Sequence, residues 1–459
     1  MLAASTQLMA ARYQMALSLG FHIVLSCLGV ALPALIFVVH RRGIRGDADA
    51  LLLAKRWSKA SAVLFAVGAV SGTVLSLEMG LLWPGMMSRY GDVIGLPFAM
   101  EGIAFFVEAV FLGIYLFGWG RLPPAVHLRT LIPMMVSGVF GTFCILAVNS
   151  WMNAPAGFRL VDGRVTDVDP VAAVFNRALW TQFLHMLVAA YMVTGFLVAS
   201  VYAGGMLKGR RDRVHRIGFS VAFTMATVFA VLQPFVGHVS GMRLATEQPA
   251  KLAAMDLVVH TEERSPLRIG GVLVDGRVVG AVTIPALGSL LARSAFDRPV
   301  TGLDAFSEAD RPPANIVHLA FQTMVGIGTL LMLFGLFYVW RRRRRDLLAS
   351  DRFLRCAFWA GPAAVVALEA GWTTTEVGRQ PWIIHGVMRV SDAVTPNGGI
   401  WFSFIGIAVV YLGLGMASVF TLRSMSRRWR ENGTVDLPTP YGPPAGPGVP
   451  APPITGAPL

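Results

Sequence analysis

Read for hydropathy alone, the chain alternates long apolar runs with short polar breaks. Nine runs stand out, near Met15–His40, Ala60–Gly80, Leu96–Trp119, Leu131–Met152, Trp180–Val201, Ile217–Gly237, Ile316–Trp340, Phe353–Gly371 and Ile400–Leu422. About 20 helical residues at 1.5 Å each cross a ~30 Å hydrocarbon core. The pattern therefore predicts an all-α polytopic membrane protein with about nine transmembrane helices. The eighth run is the most interrupted, by Pro362 and Glu369. Two polar stretches stand apart. Residues 237–315 mix charge with Gly-rich, strand-like pieces such as Gly270–Gly280, and loops of this length carry function or move. Residues 424–459 are rich in proline and glycine and read as a disordered tail. Residues 1–423 then form one transmembrane domain that includes the 237–315 loop, and residues 1–14 read as a short interfacial helix.

Composition sharpens this picture. The chain is 55% hydrophobic and 14% charged, with a mean hydropathy of +0.60, whereas a soluble protein is about 25% charged. The net charge of +13 is not read as a nucleic-acid surface. Its arginines and lysines gather in short loops, at Arg41-Arg42, Lys208–Arg216 and Arg341–Arg345. That asymmetry puts the N-terminus outside, the C-terminus in the cytoplasm and the 237–315 loop on the outer side. Cys27, Cys144 and Cys356 lie in or beside apolar runs without metal spacing, and read as free thiols. The N-terminus lacks the basic start of a signal peptide, and its first apolar run is too long for one. The chain carries no internal repeat, Walker motif or Gly-rich dinucleotide fingerprint.

Polar side chains inside the runs carry the candidate chemistry. His22, Glu101, His185 and Met324 come from four different runs and Glu376 from the outer end of the eighth, and counting rise per residue puts them within roughly 10–15 Å of the outer surface. An ionisable residue inside a membrane is costly and marks function. His with Met suits the axial pair of a low-spin haem. His22 and Glu376 each suit an iron left open on its other side. Taken singly, each has a plainer reading: a hydrogen-bonded core histidine, a packing methionine, a solvated helix end. His318 and Gln322, at the same depth, read as polar packing. Glu101 and Glu108 are two turns apart on one helical face in EGIAFFVEAVF, which suits a proton path or a pair of neutral hydrogen-bonded acids. In KLAAMD, Lys251 and Asp256 put a cation and an acid at the membrane surface. They suit the oxygens and proton of a quinol headgroup, or else form an exposed salt-bridge helix. GWTTTEVGRQPW, Gly371–Trp382, sets Glu376 and Arg379 where Gly378 and Pro381 end a helix.

Together these residues resemble subunit I of the cytochrome bd quinol oxidases. The matching pieces run in order: RYQMALSLGFH, EGIAFFVE, NSWMNAPAG, QFLHMLVAAYMVTG, QPAKLAAMD, FQTMVGIG and GWTTTEVGRQPW. The resemblance implies a low-spin haem b on His185 and Met324. It implies a high-spin pair on His22 and Glu376, one a haem b and the other haem d or a further haem b, with Trp372 in the cofactor pocket. It further implies proton delivery by Glu101 and Glu108, a quinol site at Lys251 and Asp256, and Arg379 supporting a haem propionate or the Glu376 carboxylate. The expected protein oxidises quinol on the outer side of a bacterial cytoplasmic membrane and reduces O₂ to water with cytoplasmic protons. Its expected partners are a second membrane subunit and a small single-span one. Three departures, Gln322 in place of an arginine, Asp256 in place of a glutamate and a short loop, point to the cyanide-insensitive branch. Two other classes compete on the residues alone. A proton-coupled transporter would need a helix broken near mid-membrane, and a haem-b membrane anchor of a dehydrogenase would leave His22 and Glu376 unused.

Overall fold

The computed structural model describes residues 2–344 and 346–431. The chain opens with α1 (Leu2–Ile44), α2 (Ala48–Leu82) and α3 (Pro84–Phe117), and a short α4 (Pro124–Arg129) leads into α5 (Leu131–Asn153). The hairpin of β1 (Arg159–Val161) and β2 (Arg164–Thr166) and the short α6 (Pro170–Val174) precede α7 (Leu179–Leu207) and α8 (Arg213–Glu247). The polar loop then holds α9 (Pro249–Asp256), β3 (Leu267–Ile269), β4 (Val272–Val274), β5 (Arg277–Val279), β6 (Val282–Ile284) and α10 (Leu287–Arg293). Helices α11 (Ala314–Arg341) and α12 (Asp351–Val377) follow. The hairpin of β7 (Trp382–Ile384) and β8 (Met388–Arg389), then α13 (Val390–Ala393), connect to α14 (Ile400–Glu431).

Among the described residues, nine helical segments are long and apolar enough to cross a membrane, as the hydropathy pattern predicts. Their ends differ from that pattern. α1 is one continuous helix from Leu2, so the N-terminal residues are not a separate interfacial helix. α2 and α3 are parted only by Trp83, and α8 takes the first residues expected of the outer loop. α14 runs to Glu431, so residues 424–431 are helical; the rest of the expected tail, 432–459, lies outside the described residues. The cause is common to all: backbone hydrogen bonds propagate a helix past the edge of the hydrocarbon, where hydropathy no longer marks it. α12 stays unbroken through Pro362.

α7 is central, packing on α8, α12, α1 and α5, while α1 pairs with α2 and α3 with α5. The main core includes Leu35, Leu53, Phe196, Phe219, Phe223 and Leu354. By contrast, Ile103, Phe106, Val201, Leu330, Phe402 and Phe420 are exposed, as expected of side chains facing lipid or another subunit. One end of the bundle is stitched by ion pairs. Arg213 reaches Asp47 and Asp49, Arg216 reaches Asp346, and Arg211 reaches Asp351. Asp47 also caps α2, accepting from the Ala50 N–H. Such exposed pairs contribute at most ~1 kcal/mol each, so they align helix ends more than they stabilise them.

The polar loop sits at the other end and is built, not loose. β3 pairs with β6 and β4 with β5, all antiparallel, as one hairpin nested in another. The inner turn is Asp275-Gly276, both at positive φ (46° and 75°), the backbone of a tight two-residue turn. Glu262 bridges Val300 across the loop's base.

Candidate functional site

The GRQPW stretch leaves the end of α12 and turns back toward α5 and α9. Glu376 Oε1 accepts from Asn149 Nδ2 on α5 at 2.9 Å, and Oε2 accepts from Arg379 Nη2 at 2.5 Å. Asn149 Oδ1 in turn accepts from Asn153 Nδ2 at 3.4 Å. Asn153 Oδ1 accepts from Lys251 Nζ at 3.0 Å and from Gln248 Nε2 at 3.1 Å, which anchors α9. A continuous polar line therefore runs from Lys251 through two asparagines to Glu376 and Arg379. Arg379 is 4% exposed, and two of its nitrogens, Nε and Nη1, are buried without a protein partner. A buried guanidinium with donors to spare fits a second anion besides Glu376.

Lys251 and Asp256 are no exposed salt-bridge helix. They are 4% and 9% exposed, and Lys251 bonds Asn153 instead of Asp256. Burial, with the nearby Arg379, brings Lys251 down to about 7, while Glu376 pulls the other way. Burial raises Asp256 to about 6 against the pull of Arg268. His385, beyond β7, is held to about 4 by burial and by the charges of Lys251 and Arg379.

The remaining candidates lie in the helices. His22 Nδ1 meets Ser71 Oγ at 2.8 Å, and Ser71 donates its own proton to the Gly68 carbonyl. Ser71 thus accepts from Nδ1–H, which leaves Nε2 with its lone pair, the form an iron needs. His185 Nε2 stands 3.1 Å from Gln233 Nε2, and its Nδ1 is buried without a partner, so one ring nitrogen is spare. Met324 lies against α12 so closely that a Cβ on Gly371 would stand 2.7 Å from its sulfur. The next residue, Trp372, has a buried indole N–H without a partner. Glu108 is buried beside Gly29 of α1 and Gly138 of α5, and Glu101 is half-buried two turns along the same helix. These spare nitrogens and close helix approaches fit haem ligation and the seating of a haem propionate.

Sequence reading missed several partners. Asn149 and Asn153, one helical turn apart in NSWMN, drew no expectation of their own, because an uncharged amide in a helix does not mark itself. Glu78 on α2 is 2% exposed and accepts from Gln14 and Ser18 of α1. Glu369 lies against Gly20 of α1, where its Oε2 would be 3.3 Å from an added Cβ. Both acids stand in apolar runs, and that was the available signal.

Fold and site define a class: a polytopic helical membrane protein with ligand-type side chains inside its bundle and a buried acid–base pair in a surface loop. The family model for cytochrome bd terminal oxidase subunit I matches residues 10–429. A putative cytochrome bd menaquinol oxidase subunit I from Bacillus subtilis is 38% identical, over 90% of this chain and 95% of its own length. Subunit 1 of the cytochrome bd-II ubiquinol oxidase of Escherichia coli is 26% identical over 91% and 95%. The solved bd oxidase from Geobacillus thermodenitrificans superposes with a TM-score of 0.88 at 38% identity, covering 92% of this chain and 98% of that one. The chain belongs to the cytochrome bd terminal oxidase subunit I family, whose members are subunits of quinol:O₂ oxidoreductases.

Proposed function

We propose that this chain oxidises quinol at the α9 face of its polar loop and passes the electrons inward to haem, where O₂ is reduced to water. The hydrogen-bonded line from Lys251 to Glu376 carries this reading, because it ties the loop to an expected iron ligand. Lys251, as a cation, donates to a quinol oxygen. Asp256 takes a quinol proton, with a water filling the reach that a longer glutamate would have. His185 and Met324 would hold the low-spin haem b. His22 and Glu376 would hold the high-spin pair, a haem b with haem d or a further haem b, and Trp372 would line the pocket. Arg379 holds the Glu376 carboxylate and offers its spare nitrogens to a propionate. Bound haem supplies electron transfer and oxygen reduction. Glu101 and Glu108 would hold protons on their way from the cytoplasm.

The loop faces outward and the arginine-rich end faces the cytoplasm of a bacterial inner membrane. The exposed apolar faces of α3 and α14 are where a second membrane subunit and a small single-span subunit would pack. A reduced-minus-oxidised visible spectrum of the purified protein tests the reading. Low-spin and high-spin haem bands together are expected. A spectrum without haem would overturn it, and the same spectrum decides between haem d and a further haem b.

A further inference from the structure

The first three turns of α11 carry three polar side chains on one face, Asn315, His318 and Gln322, and each grips the polar loop. Asn315 Nδ2 donates to the Leu273 carbonyl at 2.9 Å, and its Oδ1 accepts from the Leu273 N–H at 2.6 Å. Gln322 Nε2 donates to the Arg268 carbonyl at 3.1 Å. His318, between them, is 0% exposed. Its Nδ1 lies 2.7 Å from the Met255 carbonyl at the end of α9, and its Nε2 lies 2.9 Å from the Gly270 carbonyl between β3 and β4. Each ring nitrogen thus faces a main-chain carbonyl, one on α9 and one between the hairpins. Among the described residues no other side chain joins α9 to the nested hairpins in this way.

From this geometry we infer that His318 is a positioning residue for quinol oxidation. It fixes α9, and with it Asp256 next to Met255, against the helix that carries Met324 a turn and a half further on. The inference rests on α9 being the quinol site. Charged groups nearby are Asp256 on α9 and Arg268, paired with Glu262, beside the hairpins; α11 itself contributes none before Arg341. A ring with two nitrogens pointing apart, each against a carbonyl, touches two segments at once. Glutamine has one donating nitrogen, and phenylalanine has none.

The test uses the complete oxidase with its partner subunit. In His318→Phe the quinol KM should rise about tenfold while kcat stays within about twofold. Oxygen uptake driven by an artificial one-electron donor that bypasses quinol, and all haem bands, should stay unchanged. Backbone amides of 267–284 should exchange hydrogen faster. His318→Gln should fall between native and His318→Phe, and it carries the test alone if the phenylalanine variant does not accumulate. An unchanged KM in both variants, while Lys251→Met raises it, overturns the inference and leaves the quinol site standing. Unchanged KM in all three variants overturns both readings. Loss of haem bands in the His318 variants also overturns the inference, because the residue would then be a general prop.

Discussion

Burial at the loop moves two ordinary side chains into the neutral range, and this gives a pH signature. Asp256 is raised to about 6, so below that pH it is protonated and unable to take a quinol proton. Lys251 is lowered to about 7, so above that pH it loses the charge that, in the proposed site, would hold a quinol oxygen. The kcat/KM for quinol should therefore peak between about 6 and 7 and fall on both sides. Asp256→Asn should remove the acidic limb and Lys251→Met the alkaline one, in steady-state profiles with quinol as donor. A bell that survives in both variants assigns the limbs to other groups. Glu376 makes a second prediction. Its carboxylate is the only ion-pair partner of buried Arg379 among the described residues, and removing it leaves that cation unpaired. Glu376→Gln should lose one high-spin haem on extraction while the low-spin bands remain. Full haem content with normal oxygen uptake would take Glu376 out of the site. Single residues were legible where chemistry is rare: a glutamate, histidine or lysine flanked by apolar sequence announces itself. Asn149 and Asn153 were not, because their role exists only once α5, α9 and α12 meet.

At the scale of elements, close packing of α7 on α8 sets the bundle's centre. A Cβ on Gly195 would stand 2.7 Å from the Ala226 nitrogen and 2.8 Å from the Ala222 carbonyl oxygen, both backbone atoms of α8. Backbone cannot swing aside as a flexible side chain can, so Gly195→Ala should cost ~1–3 kcal/mol. Thermal loss of the native haem absorbance should begin several degrees lower than in the unchanged protein; an unshifted transition would mean that α7 and α8 separate freely. Gly371 poses a different case, since its neighbour is the movable tip of Met324. The helices themselves were readable because a membrane demands about 20 apolar residues of each. Their ends were not, since helices such as α2, α3 and α14 continue where solvent or a headgroup layer tolerates any polarity. The small hairpins left only a glycine-rich trace in 270–280, too short for period-2 alternation to mark all four strands.

Across the whole molecule, charge divides the two ends. Arg211, Arg213 and Arg216 pair with aspartates of neighbouring helices at one end, and the nested hairpins occupy the other. The positive-inside rule then predicts a sidedness that can be tested in intact cells. A cysteine placed by Asp275→Cys should react with a membrane-impermeant thiol reagent, and one placed by Arg342→Cys should not. The native Cys27 and Cys144 are buried and stay silent, while Cys356 sets the background. The reverse labelling pattern would invert the chain and move the proposed quinol face to the cytoplasm.

The nested hairpins also sort the loop into a held part and a free part. Among the described residues, the hydrogen bonds that grip α11 come from Leu273 and earlier loop residues, and the turn at Asp275-Gly276 is held by its own two strands. Extra chain entering at that turn would lengthen the loop outward and leave Met255, Gly270 and Arg268 where they are. Loop closure grows only slowly more costly with length. Related chains can therefore grow or shed sequence there without retuning the chemistry beneath, and the same turn is the natural place to graft an affinity handle or a reporter.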